Sequence, residues 1–175
     1  MNENLIKIFK EPYPYFNEVV EQVKELVMET GNWNANDDGQ IAIQTKDPEL
    51  KNWFDGCGAS PKKTPEWERE FNLLQYAIRG TAIADYIDWL ETPVYRTRIM
   101  LAREKSSYSI HRDYSPRLHL PLITNMQCNF LFTEPPELIH MPADGTTYWV
   151  DTRKHHTFLN GSGDRRLHLV MIVEN

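Results

Sequence analysis

His111-Arg112-Asp113 sets an imidazole and a carboxylate two positions apart, so along an extended strand both side chains leave on the same face. His156 can bring a second imidazole from a distant strand. Two histidines and one carboxylate on one face of an octahedral iron leave the other positions open, which suits non-haem Fe(II) oxygen chemistry. His155 competes with His156 as the third ligand, because neighbouring strand residues point to opposite faces. His156 is preferred, since it shares a face with Phe158 and Asn160 and its spacing to Arg166 fits a bound diacid. The bland alternative makes His111 a packed polar residue and Asp113 the start of a turn before Ser115-Pro116.

Arg166 opens the apolar run Arg166-Leu-His-Leu-Val-Met-Ile-Val173. Alternation puts Arg166, His168, Val170 and Ile172 on one face and Leu167, Leu169, Met171 and Val173 on the other. A guanidinium there is either a rim charge or the base of a pocket, and its fork suits a carboxylate because it donates two parallel hydrogen bonds. In Arg117-Leu-His-Leu-Pro-Leu-Ile123, Arg117 and His119 share one face and the leucines the other. If that polar face is internal, the two groups need a ligand or partners; otherwise it is the solvent face.

The elements that must carry these residues fall into two textures. From Val94 onward, strands are expected at 94–103, 107–111, 117–124, 127–133, 137–141, 146–151, 155–160 and 166–173, and eight short strands at this spacing indicate a jelly roll. All six histidines lie in that part. Residues 1–93 read as mixed and mostly helical. Phe16, Val19, Val20, Val23, Leu26 and Val27 trace an amphipathic helix, Asn34–Gly39 reads as a turn, and 41–45 as a short strand. Thr64-Pro65 looks like a helix cap with proline at the first helical position. The helix behind it is expected to bury Trp67, Phe71, Leu74 and Ile78, with a further helix from Thr81 to about Leu90. The whole is expected to be one domain, 1–175, with the N-terminal helices packed on the β core.

Composition narrows the classes. With 175 residues and 41% apolar and 25% charged content, the chain reads as a soluble globular protein. Its net charge of −6 argues against general nucleic-acid binding. No apolar run reaches the ~20 residues of a membrane span, and two cysteines make no disulfide framework, so a cytoplasmic setting is expected.

Taken together, Tyr95–Met100, Tyr108–Asp113, Arg117–Leu122, His140–Gly145 and Val150–Asn160 continuing to Arg166 resemble the aspartyl/asparaginyl β-hydroxylase-like family of Fe(II)/2-oxoglutarate-dependent oxygenases. The resemblance covers roughly residues 70–173. It implies a double-stranded β-helix (a cupin-like jelly roll) with His111 and His156 as iron ligands. It also implies Arg166 on the distal carboxylate of 2-oxoglutarate, with Arg117 and His119 lining that pocket. Some members that hydroxylate protein aspartate look as though they lack the carboxylate ligand. Asp113 stands where most 2-oxoglutarate oxygenases carry it, so a full His111, Asp113, His156 site is expected. The implied reaction consumes O2 and 2-oxoglutarate, releases succinate and CO2, and hydroxylates an unactivated C–H.

The substrate class stays open among amino acid, peptide or protein side chain and small metabolite, and so does the oligomeric state. Arg98, Arg103 and Arg112 are candidates for binding an acidic substrate or plain surface charges. Two other readings compete: a cupin-like metalloenzyme that does not use 2-oxoglutarate, and a non-enzymatic β-barrel binding module.

Overall fold

The computed structural model describes residues 5–31, 39–50, 52–58 and 64–174. In chain order these form β1 (Ile6–Lys10), α1 (Phe16–Glu29), β2 (Gln40–Ala42), β3 (Gln44–Thr45), α2 (Pro65–Arg69), β4 (Leu73–Leu74), α3 (Ala82–Trp89), β5 (Val94–Ala102), β6 (Ser106–Ser107), β7 (Arg117–Ile123), β8 (Cys128–Thr133), β9 (Pro136–Ile139), β10 (Thr147–Val150), β11 (His156–Asn160) and β12 (Arg166–Val173). The architecture is mainly β. A six-stranded sheet runs β1-β10-β7-β12-β5-β2, and a four-stranded sheet runs β6-β11-β8-β9. Every pairing in both is antiparallel.

Alternation along β7 and β12 decides which face goes where. Leu118, Leu120, Leu122, Leu167, Leu169 and Met171 are buried together with Val19, Val23, Leu26 and Val27 of α1 and Ile83 and Tyr86 of α3. Each such side chain contributes roughly 1.5–3 kcal/mol when fully buried, which holds the helices on that face. The other face of the large sheet meets the small sheet: Ile6, Ala102, Tyr148 and Val150 pack with Phe130, Phe132 and Phe158. The Arg117/His119 and Arg166/His168 sides therefore point between the sheets, into the polar end of this second core.

Pro121 sits in the central strand β7 beyond its pairing with β10, which covers Arg117, Leu118 and His119, and opposite His168 of β12. The β7–β12 register shifts opposite Leu167/His168, at the same place, and an irregularity is where a strand proline is tolerated.

Helix α1 follows its periodicity and ends at Thr30-Gly31, where Gly31 has φ 74° and its N–H bonds the Met28 carbonyl. The helix expected behind Thr64-Pro65 is shorter than its pattern suggests. Thr64 does cap it, accepting from the Trp67 N–H at 3.3 Å, but α2 stops at Arg69. The Phe71 carbonyl then accepts from the Arg96 N–H, and Leu73 and Leu74 pair with Thr45 and Gln44. The chain spends its backbone groups on sheet partners, and Trp67, Phe71 and Ile78 are buried without a continuous helix.

Two further departures matter. Residues 1–93 supply β1 and β2 to the large sheet as well as helices. The strand expected at 107–111 is instead the short β6 followed by an isolated bridge between His111 and His156. The turn expected at Asn34–Gly39 lies outside the described residues except for Gly39.

Candidate active site

The segment from Tyr108 to Ser115 is laid along β11 and the loop before it by backbone bonds. Tyr108 N–H donates to Phe158 O at 3.1 Å, and His111 and His156 exchange N–H···O bonds of 2.9 and 2.8 Å. Asp113 N–H then donates to Thr152 O at 2.8 Å, and the Thr152 hydroxyl donates to Ser115 O at 2.8 Å. The two histidines are thus fixed opposite one another, with ring centroids 4.6 Å apart.

His111, Asp113 and His156 offer ligand atoms that all lie within 4.8 Å of one another. His111 Nε2 is 3.9 Å from Asp113 Oδ1, and His156 Nε2 is 4.0 Å from Asp113 Oδ2. Ligands about 2.1 Å from one ion in neighbouring positions sit about 3 Å apart, so a contraction of about 1–2 Å closes the set. His155, the competing ligand, is exposed outside this group.

Both imidazoles have their other nitrogen engaged. His111 Nδ1 lies 2.7 Å from Ser109 O, and His156 Nδ1 lies 2.9 Å from Lys154 O. A carbonyl can only accept, so the proton belongs on Nδ1 and each Nε2 keeps its lone pair for a metal. Burial pushes His156 below its ordinary value, against the opposing pull of Lys154 O and Asp113. Burial alone would raise the Asp113 carboxyl, but Arg117, then His156, His111 and Arg98, outweigh it and hold the group below the usual range. The donors are therefore an anionic carboxylate and two imidazole Nε2 atoms with no competing hydrogen bond, which fit a divalent ion of the iron type. The side chains are 41%, 17% and 4% exposed for His111, Asp113 and His156, so the cluster opens on the His111 side.

Two pockets meet at this cluster. The inner one, a cavity of about 60 Å3, runs between the sheets past Phe130 and Phe158 to His119 and Arg166. Arg166 is 2% exposed, lies over the Phe158 ring at 3.7 Å from its centroid, and donates to His168 Nδ1. His119 stands against Phe130 and 3.4 Å from His168, Nδ1 to Nδ1. Burial, then Arg166, pushes both His119 and His168 well below their ordinary values, so both are neutral. The Nε2 atoms of His119 and His168 are buried with no partner among the described residues. A buried guanidinium beside a neutral imidazole at the inner end of this pocket fits the carboxylate of a diacid such as 2-oxoglutarate.

The outer pocket is larger, about 450 Å3, and is lined by Arg96, Arg98, Arg117, Glu68 and Gln40. Met100, Tyr108, His111, Asp113 and Arg117 border both spaces. Arg117 Nε lies 2.8 Å from Asp113 Oδ2 as an ion pair, off the N–H axis rather than as an aligned hydrogen bond. Arg117 also pairs with Glu68 Oε1 at 3.5 Å, and Arg96 pairs with that same oxygen at 3.1 Å. Arg117 thus links the cluster to a buried carboxylate as well as bordering the inner pocket, where it was expected.

Glu68, Gln40 and Arg96 drew no notice in the sequence. Arg96 sits at φ 47° within β5, which local alternation cannot foretell. Of the three arginines weighed for an acidic substrate, Arg98 is buried in the outer pocket, Arg112 is exposed at its edge, and Arg103 is exposed away from it.

No family model matches the sequence, and no curated protein matches it either. Among solved structures, the chain is similar to a 2OG-Fe(II) oxygenase family oxidoreductase from Burkholderia pseudomallei at 20% identity and TM-score 0.40, over 45% of this chain and 43% of that one. It thus spans less than half of that protein's length. A cupin domain from Bordetella pertussis is similar at 12% identity and TM-score 0.39, over 46% of this chain and 81% of that one. The viral collagen prolyl hydroxylase of Paramecium bursaria Chlorella virus-1, in its 2OG complex, is similar at 10% identity and TM-score 0.52, over 97% of both chains. This last likeness extends through the N-terminal half and shows a shared, mainly β fold.

Proposed function

We propose that the protein is an Fe(II)- and 2-oxoglutarate-dependent oxygenase, built as one domain on a double-stranded β-helix core. In this reading it hydroxylates an unactivated C–H of an amino acid, a peptide or protein side chain, or a small metabolite. The observation that carries the proposal is the meeting of His111, Asp113 and His156 beside a pocket between the sheets that ends in Arg166 and His119. The family resemblance of residues 70–173 to aspartyl/asparaginyl β-hydroxylase-like enzymes supports the same assignment.

Fe(II) and 2-oxoglutarate, when bound, supply the oxidising chemistry: O2 and 2-oxoglutarate are consumed, succinate and CO2 leave, and one oxygen atom enters the substrate C–H. The protein's residues position and protect. Ser109 O and Lys154 O hold the imidazoles in the ligating tautomer. Arg117 keeps Asp113 anionic and oriented. Phe130 and Phe158 wall the inner pocket against water, which strengthens the electrostatic hold of Arg166 on a carboxylate. The substrate enters from the His111 side, where the cluster is open.

The test is to load the protein with Fe(II), add 2-oxoglutarate under air, and assay succinate, which forms slowly even without substrate if the proposal holds. Folded, iron-loaded protein that neither binds 2-oxoglutarate nor releases succinate refutes it.

A further inference from the structure

The outer pocket holds three guanidinium groups; Arg96 has its bonding edge filled, and Arg117 is held by two carboxylates although its Nε makes no aligned hydrogen bond. Arg96 Nε and Nη2 donate to Gly56 O and Gly58 O, both at 2.8 Å, and its Nη1 pairs with Glu68. Arg117 is shared between Asp113 and Glu68. Arg98 differs. It is 2% exposed, yet its side chain makes a single hydrogen bond among the described residues, from Nη1 to Gln40 Oε1 at 2.8 Å. That amide oxygen also accepts the Gly58 N–H, so Gln40 fixes the Arg98 plane.

Arg98 Nε and Nη2 are buried with no protein partner among the described residues. These two nitrogens form one edge of the guanidinium, with parallel N–H bonds, and in Arg96 the same edge is occupied by two carbonyl oxygens. An unmet buried donor pair on a cation is expensive, and the pairing such an edge fits best is the two oxygens of a carboxylate. Charge points the same way. Three arginines face Glu68 and Asp113, and Asp113 belongs to the metal-ligand cluster. Arg98 is separated by one residue along β5 from Met100, which borders both pockets.

We propose that Arg98 anchors a carboxylate of the substrate, seated in the outer pocket with a neighbouring C–H presented to the metal cluster. The substrate is therefore an organic acid: a free amino acid held by its α-carboxylate, or an acidic side chain held within a peptide. What happens to that C–H rests on the oxygenase assignment; the anchoring itself does not.

Binding is measured by calorimetry on the full chain with Zn(II) in place of iron and saturating 2-oxoglutarate, so that no turnover occurs and the Arg166 pocket is filled. One arm titrates free amino acids against their α-carboxamides. The other titrates end-blocked tripeptides with central aspartate or glutamate against asparagine or glutamine. The expected result is a carboxylate in one arm binding at least tenfold tighter than its carboxamide, a preference that R98Q abolishes. R98K, which keeps the charge without the fork, binds less tightly than the wild type. The melting temperature of ligand-free R98Q should be unchanged or raised, since a structural arginine would instead lower it. The proposal is overturned if no carboxylate binds, if carboxylate and carboxamide bind alike, if R98Q or R98K matches wild type, if R98Q melts lower, or if inorganic phosphate binds in their place. The 2-oxoglutarate titration in the same sample reports separately on the inner pocket, so failure of the oxygenase assignment is read from that curve alone.

Discussion

Glu68→Gln offers a demanding test of the electrostatic frame behind the site. Glu68 is 1% exposed, and its Oε1 lies 3.1 Å from Arg96 and 3.5 Å from Arg117. At an effective dielectric constant of about 20, each contact is worth about 5 kcal/mol before desolvation is subtracted. Glutamine matches the size and keeps an acceptor oxygen, so the substitution removes the charge and little else. Breaking a buried pair from one side leaves uncompensated charge and costs about 3–5 kcal/mol; the surviving acceptor places the expected value near the lower end. For a domain of this length, each kcal/mol moves the melting temperature by about 2–4 °C, so E68Q should melt roughly 6–12 °C lower. Thermal and urea denaturation followed by circular dichroism check this. The difference should persist at about 0.5 M salt, because screening acts weakly on buried pairs. A loss under about 1 kcal/mol, or one that vanishes with salt, refutes the claim that Glu68 carries the burial of the two arginines.

Asp113→Ala should leave the fold intact but weaken Mn(II) or Fe(II) binding by more than the ~10–100-fold typical of an outer-sphere change; paramagnetic resonance of Mn(II) measures it, and unaltered affinity removes Asp113 from the ligand set. Arg166→Ala should raise the 2-oxoglutarate KM roughly thirtyfold or more, the effect of about 2–5 kcal/mol for a buried charge pair, with metal affinity little changed; equal loss of both makes Arg166 structural. His119 and His168 are held neutral, with folded values well below the unfolded 6.5. Above pH 6.5 they cost nothing. As pH falls below it, the unfolded chain gains protons that the fold refuses, at about 1.4 kcal/mol per pH unit for each histidine. Metal-free protein should therefore lose melting temperature steadily from pH 6.5 toward 5, and a flat profile contradicts their burial as neutral groups.

Strand alternation made much of the site legible. The faces of β7 and β12 follow from period two alone, and they put Arg117, His119, Arg166 and His168 on the side opposite the leucines. Alternation also makes His155 and His156 point apart, and it is His156 that comes within reach of His111 and Asp113. What stayed hidden depends on contacts made across the chain. Glu68 reads as an ordinary polar helix residue until Arg96 and Arg117 arrive from two strands to bury it. Trp67, Phe71, Leu74 and Ile78 carry a helical period, yet pairing of Leu73-Leu74 with β3 overrides it. The stretch Ile6–Lys10 has no clean alternation, because it is an edge strand in which Ile6 is buried while Lys7 and Ile8 are exposed. The Nδ1 acceptors of the two ligand histidines are main-chain carbonyls, and side-chain chemistry gives no hint of them.

The placement of β1 and β2 has a consequence for the edges of the β core. They are the two outermost strands of the six-stranded sheet, one bonded to β10 and the other to β5. A fragment starting at Val94 would present two bare ladders of N–H and C=O groups, the template on which strands of separate molecules add edge to edge. Lys7 and Lys10 on β1, with Lys7 exposed and Lys10 half-buried, and the three-residue length of β2 blunt those edges in the intact chain. The N-terminal segment thus covers from both flanks the strands that carry Arg98, Arg117 and Arg166.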